Sequence, residues 1–314
     1  MILCIGEAVI DLFQTHAEGF ADAFLPLPGG CAYNTSIAIS RLGVPAAFFG
    51  RISNSFFGDL QIKRLRENNV KTDLVIRCEQ NTILAFIKVE EVKEPQYAFY
   101  EEGTADKLLL PEHLPQLPPD TKCVVFGSIS MAMEPIGATI ENFILKEARQ
   151  KVTAFDPNIR PFIIKDRQAY LNRFERLAAA STIVKISLED FGFIQSNPQP
   201  EKALEKLTAL GTRLAIVTLG PDGSAAMLRR DDGSVIKTGA GGVKVANPVD
   251  TVGAGDTFMG AFLACLEIKG KLTHNGIAGL SEDELNSALV FANKAAAIVC
   301  SRRGAQPPSL QEID

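Results

Sequence analysis

Short apolar runs rich in Val, Ile and Phe alternate along the chain with stretches of helical period. The runs ILCIGEAVI (2–10), AAFFGRI (46–52), CVVFG (123–127), VTAFD (152–156), TIVKIS (182–187) and RLAIVTL (213–219) predict strands. Between them, NTSIAISRL (34–42), FFGDLQIKRLREN (56–68), EPIGATIENFILKEARQ (134–150) and PEKALEKLTAL (200–210) predict amphipathic helices. Strands that look buried on both sides call for cover on both faces. The expected fold is α/β: a doubly wound parallel sheet with helices on both faces.

Two regions break this rhythm. Residues 11–30, DLFQTHAEGFADAFLPLPGG, lack helical period and return to a Gly-Gly turn. Residues 72–103 read as strands without a helix between them: TDLVIRC, then TILAFIKVEE, then PQYAFYEEG. A segment this long and this regularly alternating is more than a surface loop. Together the two regions predict a small antiparallel β lid, formed by 11–30 and 72–103. The main domain then comprises 1–10, 31–71 and 104–314.

Composition narrows the functional classes. The 314 residues are 46% hydrophobic and 22% charged, with a net charge of −5 and no basic cluster. Nucleic acid is therefore not an expected partner. The apolar run FMGAFLACL (258–266) is too short to span a bilayer, so no membrane partner is expected either. MILCIGEAVIDLF carries Glu7 and Asp11 inside its apolar run, as a core strand would and a signal peptide would not. Six scattered cysteines without a CxxC pair, with three histidines, give no zinc pattern. Free thiols and a cytoplasmic location are the expectation.

The candidate chemistry concentrates in NPVDTVGAGDTFMGAFLACL (247–266). Gly253, Ala254 and Gly255 precede an apolar pattern that runs through Leu266, so the turn should open a helix. A helix N-terminus offers free N–H groups and a positive dipole end, both suited to a phosphate. Glycine lets a ligand approach the backbone closely. Asp256 falls in the first turn, where a carboxylate can cap the helix. A dinucleotide fingerprint does not fit, because its third glycine position is Phe258. A Walker loop does not fit either, because the Gly270-Lys271 pair is followed by Leu272.

DTVGAGDTF resembles the C-terminal signature of the ribokinase-like (PfkB-type) carbohydrate kinases. The resemblance covers nearly the whole chain in order. GGCAYNTSIAISRLG (29–43) with FFGRISNSFFGD (48–59) is similar to the N-terminal glycine-rich signature. FDPNIRP (155–161), VKISLED (184–190), VTLGPDG (217–223) and FANKAAAIVCSRRGAQPPS (291–309) fall where the family has counterparts. The resemblance implies ATP-dependent phosphorylation of a sugar hydroxyl. Asp256 would be the general base, and the backbone of Gly253, Ala254 and Gly255 would cradle the migrating phosphoryl group. It also implies Asp11, Gly29, Gly30, Asn34 and Phe99 as sugar-binding positions, with Arg160 available to phosphate oxygens.

Further positions follow by the same resemblance. Ser187, Thr218, Gly220, Gly223, Gly255 and Asn293 are the nucleotide-binding candidates. The family's Asn-x-x-Glu is replaced here by Ser187 and Asp190, leaving Asp190 to place Mg²⁺ through water. Asp250 matches a potassium-ligand position of K⁺-activated members. In the lid, Phe99-Tyr100 is followed by Glu101-Glu102, where members acting on 2-keto-3-deoxygluconate commonly place an arginine. Two carboxylates there would repel an anionic acceptor, which favours a neutral sugar. That segment resembles the bacterial fructokinases of the family. The expected reaction is thus the conversion of D-fructose to fructose 6-phosphate with ATP and Mg²⁺, with 2-keto-3-deoxygluconate or a nucleoside as alternative acceptors. A catalytically inactive sugar-binding protein is the reading outside enzymes, and the apolar face of the lid is expected to pair two subunits.

Overall fold

The computed structural model describes residues 1–17, 19–88, 96–245 and 248–313. Eight strands form a central sheet, in the order Val235–Gly241, Gly223–Arg229, Leu214–Thr218, Ile183–Ser187, Val152–Asp156, Cys123–Gly127, Ile2–Ile5 and Ala46–Phe49. The last six run parallel, and the first two add an antiparallel hairpin at one edge.

Alternate strand residues feed two cores. One face buries Ile2, Cys4, Val125, Ala154, Ile183 and Ile216 with the helices Cys31–Arg41, Ala254–Ile268 and Glu282–Cys300. The other buries Leu3, Ile5, Phe126, Phe155, Val184 and Val217 with Ile136–Glu147, Arg167–Ala180 and Pro200–Leu210. Cover on both faces accounts for the nearly unbroken apolar character of these strands. Helix Pro200–Leu210 has the bounds its sequence predicts, with proline at its first position and Gly211 closing it at a φ of 126°.

The expected strand 2–10 is in fact two strands. The first stops at Ile5, and Val9–Ala17 belongs to a separate four-stranded sheet. The break falls at Glu7, whose buried carboxylate accepts the N–H of Cys31 at the start of the next helix. Asp11 is consequently the third residue of the second strand rather than the end of the first.

The small sheet runs in the order Phe20–Gly29, Val9–Ala17, Ile83–Lys88 and Gln96–Tyr100. It is mixed, not antiparallel: Val9–Ala17 pairs antiparallel with Phe20–Gly29 but parallel with Ile83–Lys88. These last two strands are separated by a long crossover through the main domain, and such a connection permits parallel pairing. TDLVIRC does not join this sheet. It supplies only Ile76–Cys78, which pairs with Arg51–Ser53 in a two-stranded ribbon. Part of the expected alternation in 72–103 lies at 89–95, outside the described residues.

From Ile2–Ile5 the sheet continues to Ala46–Phe49 on one side and Cys123–Gly127 on the other. A reversal of this kind opens a crevice at the carboxyl ends of the strands. Among the described residues no helix is long and apolar enough to cross a membrane.

Candidate active site

Gly253 holds the N-cap of helix Ala254–Ile268 in the left-handed region, at a φ of 77°. A side chain is disfavoured there twice over, because a Cβ would also fall 2.5 Å from the Cβ of Ala305. Asp256 is the third residue of this helix, and the helix has no side-chain cap. Its carboxylate points inward instead, with the residue only 5% exposed. Oδ2 accepts from Asn34 Nδ2 at 2.9 Å and Oδ1 from Asn158 Nδ2 at 3.3 Å. The capping role is therefore excluded by geometry. At the helix end, the Ala254 N–H donates to the Thr251 carbonyl at 3.2 Å. Of the expected cradle, the amides of Gly253 and Gly255 have no acceptor among the described residues; within the helix, Gly255 is joined in this by Asp256, outside the expected set, and these two amides are open to an anion.

Asn34 sits inside the first turn of helix Cys31–Arg41, its N–H bonded to the Gly30 carbonyl at 2.8 Å. It is not a cap, because Gly30 is. Its Oδ1 is buried and has no hydrogen-bond partner among the described residues, an acceptor left unused beside Asp256. Gly30 has a φ of 110°, and a Cβ on it would meet the Glu7 carbonyl oxygen at 2.6 Å. A Cβ on Gly29 would collide with the Asp11 carboxylate and push it from its place. Burial, reinforced by the charge of Asp256, pushes the Asp11 carboxyl up to about 7, against the pull of Arg160. Asp11, Gly29, Gly30, Asn34 and Asp256 thus converge.

Below them lies a cluster of charges. Lys185, third in its strand, donates from Nζ to Asp156 Oδ2 at 2.7 Å, and both side chains are almost fully buried. Cys31 Sγ lies 3.9 Å from the same oxygen. Donor atoms of Cys31, Asp156 and Asp256 all fall within 4.8 Å of one another. Burial raises the Asp256 carboxyl above its ordinary range; the Asn34 amide opposes this, Asp156 adds to it, and Lys185 opposes it. Burial and the two neighbouring aspartates keep Cys31 a thiol.

The remaining positions divide between two neighbourhoods. Arg160 is exposed and, among the described residues, donates to the adjacent Ile159 carbonyl at 3.0 Å. Asp190 accepts the Ile159 N–H through Oδ1 at 3.0 Å, and Ser187 caps the Leu188–Ile194 helix by accepting the Asp190 N–H. Thr218 ends its strand and is followed by Gly220 and Gly223, at φ values of 59° and 103°. Asn293 donates to the carbonyls of Ala240 and Gly241, tying the Glu282–Cys300 helix to the edge hairpin. Asp250 accepts backbone N–H groups from Val252 and Gly304, both at 2.9 Å, and so clamps the C-terminal loop beside Gly253.

In the small sheet, Phe99 pairs with Ala85, which pairs with Asp11, so the three share one face. Phe99 also packs edge-on against Phe162, with ring centroids 6.0 Å apart. Glu101 and Glu102 do not present bare charge. Lys107 Nζ lies 3.1 Å from Glu101 and 2.7 Å from Glu102, and Lys165 is 3.1 Å from Glu102. Two lysines therefore offset these carboxylates, which do not present the repulsive charge expected of them.

The comparisons with known proteins meet this geometry. The pfkB family carbohydrate kinase pattern matches residues 1–312. The chain belongs to that family. It is a phosphotransferase fold acting on sugar hydroxyls. This kinase is 35% identical over 287 residues to a fructokinase of Rhizobium leguminosarum bv. trifolii, covering 91% of this chain and 86% of that protein. Its fold matches a crystal structure of fructokinase with bound ATP from Xylella fastidiosa at a TM-score of 0.86, with 24% identity over 99% of this chain and 96% of that one. A fructokinase double mutant from Vibrio cholerae O395, in its fructose, ADP and potassium ion bound form, matches at a TM-score of 0.84 and 24% identity, covering 99% and 96%.

The sequence of this kinase did not single out Lys185 or Cys31, and within FDPNIRP it pointed to Arg160 rather than to Asp156 and Asn158. The signal for Lys185 was available: a lysine in the middle of the apolar strand TIVKIS must be paired if it is to be buried. Its partner could not be read from sequence, because the pair joins neighbouring strands 29 residues apart.

Proposed function

We propose that this protein transfers the γ-phosphoryl group of ATP to the primary alcohol of D-fructose, forming fructose 6-phosphate. The single observation that carries the mechanism is the buried Asp256 carboxylate, held by Asn34 and Asn158 beside two unengaged amides at a helix N-terminus. Asp256 takes the proton of the attacking hydroxyl, and the amides of Gly255 and Asp256 face the charge that builds on the migrating group. Asp11 and the unused Oδ1 of Asn34 orient the sugar hydroxyls, and Phe99 closes over its apolar face. Arg160 swings to the phosphate oxygens when nucleotide binds. Thr218, Gly220, Gly223, Ser187 and Asn293 line the nucleotide side. The 35% identity to a fructokinase supports fructose as the acceptor.

When bound with the nucleotide, a magnesium ion would neutralise charge on the phosphates. Asp190 fits a water-mediated role in placing it, because only one of its carboxylate oxygens is occupied by a backbone N–H. Asp250 fits a potassium site: each oxygen already orders a loop amide, and further lone pairs remain for an ion. A homodimer through the small sheet has support in its outer face, where Phe24, Phe86 and Tyr100 stack edge to face and Phe24 and Tyr100 are exposed. Six free cysteines suit a reducing, cytoplasmic setting.

The test is ADP release by purified protein with Mg-ATP and K⁺, across fructose, 2-keto-3-deoxygluconate, ribose and adenosine. Fructose is expected to be turned over at least about tenfold more efficiently than the others. A preference for the keto acid, or no turnover with any sugar, would reject the reading.

A further inference from the structure

Lys185 has no part in the mechanism set out above, yet its position is unusual. It occupies a central strand of the sheet, flanked by Val184 and Ile186, both fully buried. Burying an ammonium in such a place is costly unless a charge meets it. Asp156 does so at 2.7 Å, from the end of the adjacent parallel strand. Strand alternation sets both residues on the face that carries helix Ala254–Ile268, since Ala154 and Ile183 pack in the core on that side.

The second observation concerns Gly255. Its backbone does not lie in the left-handed region, so conformation does not demand glycine there. A side chain there would instead displace the Lys185 ammonium. A Cβ on Gly255 would lie 2.9 Å from Lys185 Nζ, the closest atom it would meet. The ammonium is therefore tucked directly beneath the first turn of the helix that carries Asp256, and the missing side chain of Gly255 makes room for it.

We infer that Lys185 is a positioning residue for phosphoryl transfer: its ammonium, anchored by Asp156 beneath Gly255, supplies the fixed positive charge that keeps the buried Asp256 carboxylate ionised to act as base. This rests on the assignment of Asp256 as base. The need follows from a count of charges around Asp256. Asp156 crowds it from the neighbouring strand and Asp11 faces it from the small sheet, while the neutral Cys31 thiol brings a hydrogen bond but no charge. Asn34 and Asn158 bring hydrogen bonds but no charge. Asp190 approaches the Asp156–Lys185 pair from the Leu188–Ile194 helix, and Arg160 is exposed. Lys185 is thus the buried cation in a group of buried carboxyls. Its ammonium lies above its ordinary range despite burial, through Asp156, and so stays charged throughout the working range of the enzyme.

The charge-balance role makes a prediction that a merely structural lysine does not. The acid limb of kcat/KM, where the base becomes protonated, moves in opposite directions in two variants. Lys185→Met leaves Asp156 uncompensated and raises the limb by about one pH unit. Asp156→Asn leaves the ammonium uncompensated and lowers it by a similar amount. The double variant, with both charges removed, returns the limb close to its wild-type position. The measurement is a pH profile of ADP formation with fructose and Mg-ATP for the four proteins, with Asp256→Asn alongside.

Opposed shifts with restoration in the double variant support the inference. An unmoved limb in the single variants, with Asp256→Asn inactive, overturns it while leaving the base assignment standing. Full activity of Asp256→Asn, or no turnover in the wild type, would remove the base assignment itself. Should Lys185→Met fail to fold, the downward shift in Asp156→Asn and its cancellation in the double variant decide the matter.

Discussion

Asn34 and Asp256 stand 222 residues apart in sequence and share a buried hydrogen bond of 2.9 Å. One lies in the first turn of the helix that follows the Gly-Gly turn, the other in the first turn of the helix that follows Gly253. Two helix N-termini thereby meet at one carboxylate. Asn34→Ala removes a hydrogen bond to a charged acceptor, worth about 1.5–3 kcal/mol. A fall of roughly 10- to 100-fold in kcat/KM is expected. A steady-state comparison with fructose checks it, and the acid limb should also move up, because the amide helps hold the carboxylate ionised.

Asp256 itself sets where that limb lies. Burial raises its carboxyl above the ordinary carboxylate range. Activity should therefore be lost, as pH falls, at a higher pH than the value of about 4 typical of a free aspartate. A limb at or below that value in the unliganded enzyme would mean that the carboxylate is more solvated than this geometry allows.

Asp11 offers a test by stability. Its carboxyl is raised to about 7 in the folded protein, so between about pH 4 and pH 7 the folded state holds a proton that the unfolded state has released. The protein binds more protons folded than unfolded in that window, and Asp11 contributes less stability as pH rises through it. Asp11→Asn should thus gain stability relative to wild type above pH 7, on the order of 1–2 kcal/mol after allowance for its partial exposure. Thermal unfolding at pH 5 and pH 8 reads this directly. Sugar turnover should collapse in the same variant.

How far the sequence reaches is clear from these residues. The helix behind GAGD was legible because glycine, carboxylate and apolar period occur together in one short stretch. The parallel sheet was legible because strands covered on both faces are apolar throughout. The direction of pairing in the small sheet was not legible, since alternation along a strand carries no information about its neighbour's direction. Nor were partners remote in sequence: Asn158 on Asp256, Lys185 on Asp156, and the lysines that offset Glu101 and Glu102. Each of these meets its partner only after the chain has folded.

The main-domain lysines that pair with the lid carboxylates suggest a change of specificity. In Glu101→Gln/Glu102→Gln, Lys107 and Lys165 would lose the carboxylates that now hold them. Two freed cations near Phe99 should attract an acidic acceptor. Turnover of 2-keto-3-deoxygluconate is expected to rise roughly tenfold relative to fructose, about 1.4 kcal/mol of altered discrimination. Parallel kinetics with the two acceptors would show it.

Gly253 should tolerate no side chain. Its φ of 77° and the 2.5 Å approach to Ala305 mean that Gly253→Ala must move either the cradle or the C-terminal loop. A loss of about 1–3 kcal/mol in unfolding free energy is expected, with activity falling further than stability alone explains. Urea denaturation followed by assays under folding conditions separates the two effects.

The most direct test of the whole account is the turnover of Asp256→Asn with fructose and Mg-ATP. The variant is expected to fold, since Asn nearly preserves the shape of the side chain, and to bind the sugar. ADP formation should fall by at least about 10²-fold, the typical contribution of a general base. Turnover close to wild type in a folded Asp256→Asn protein would contradict the account, because among the described residues no other carboxylate is held by Asn34 and Asn158 at the open end of that helix.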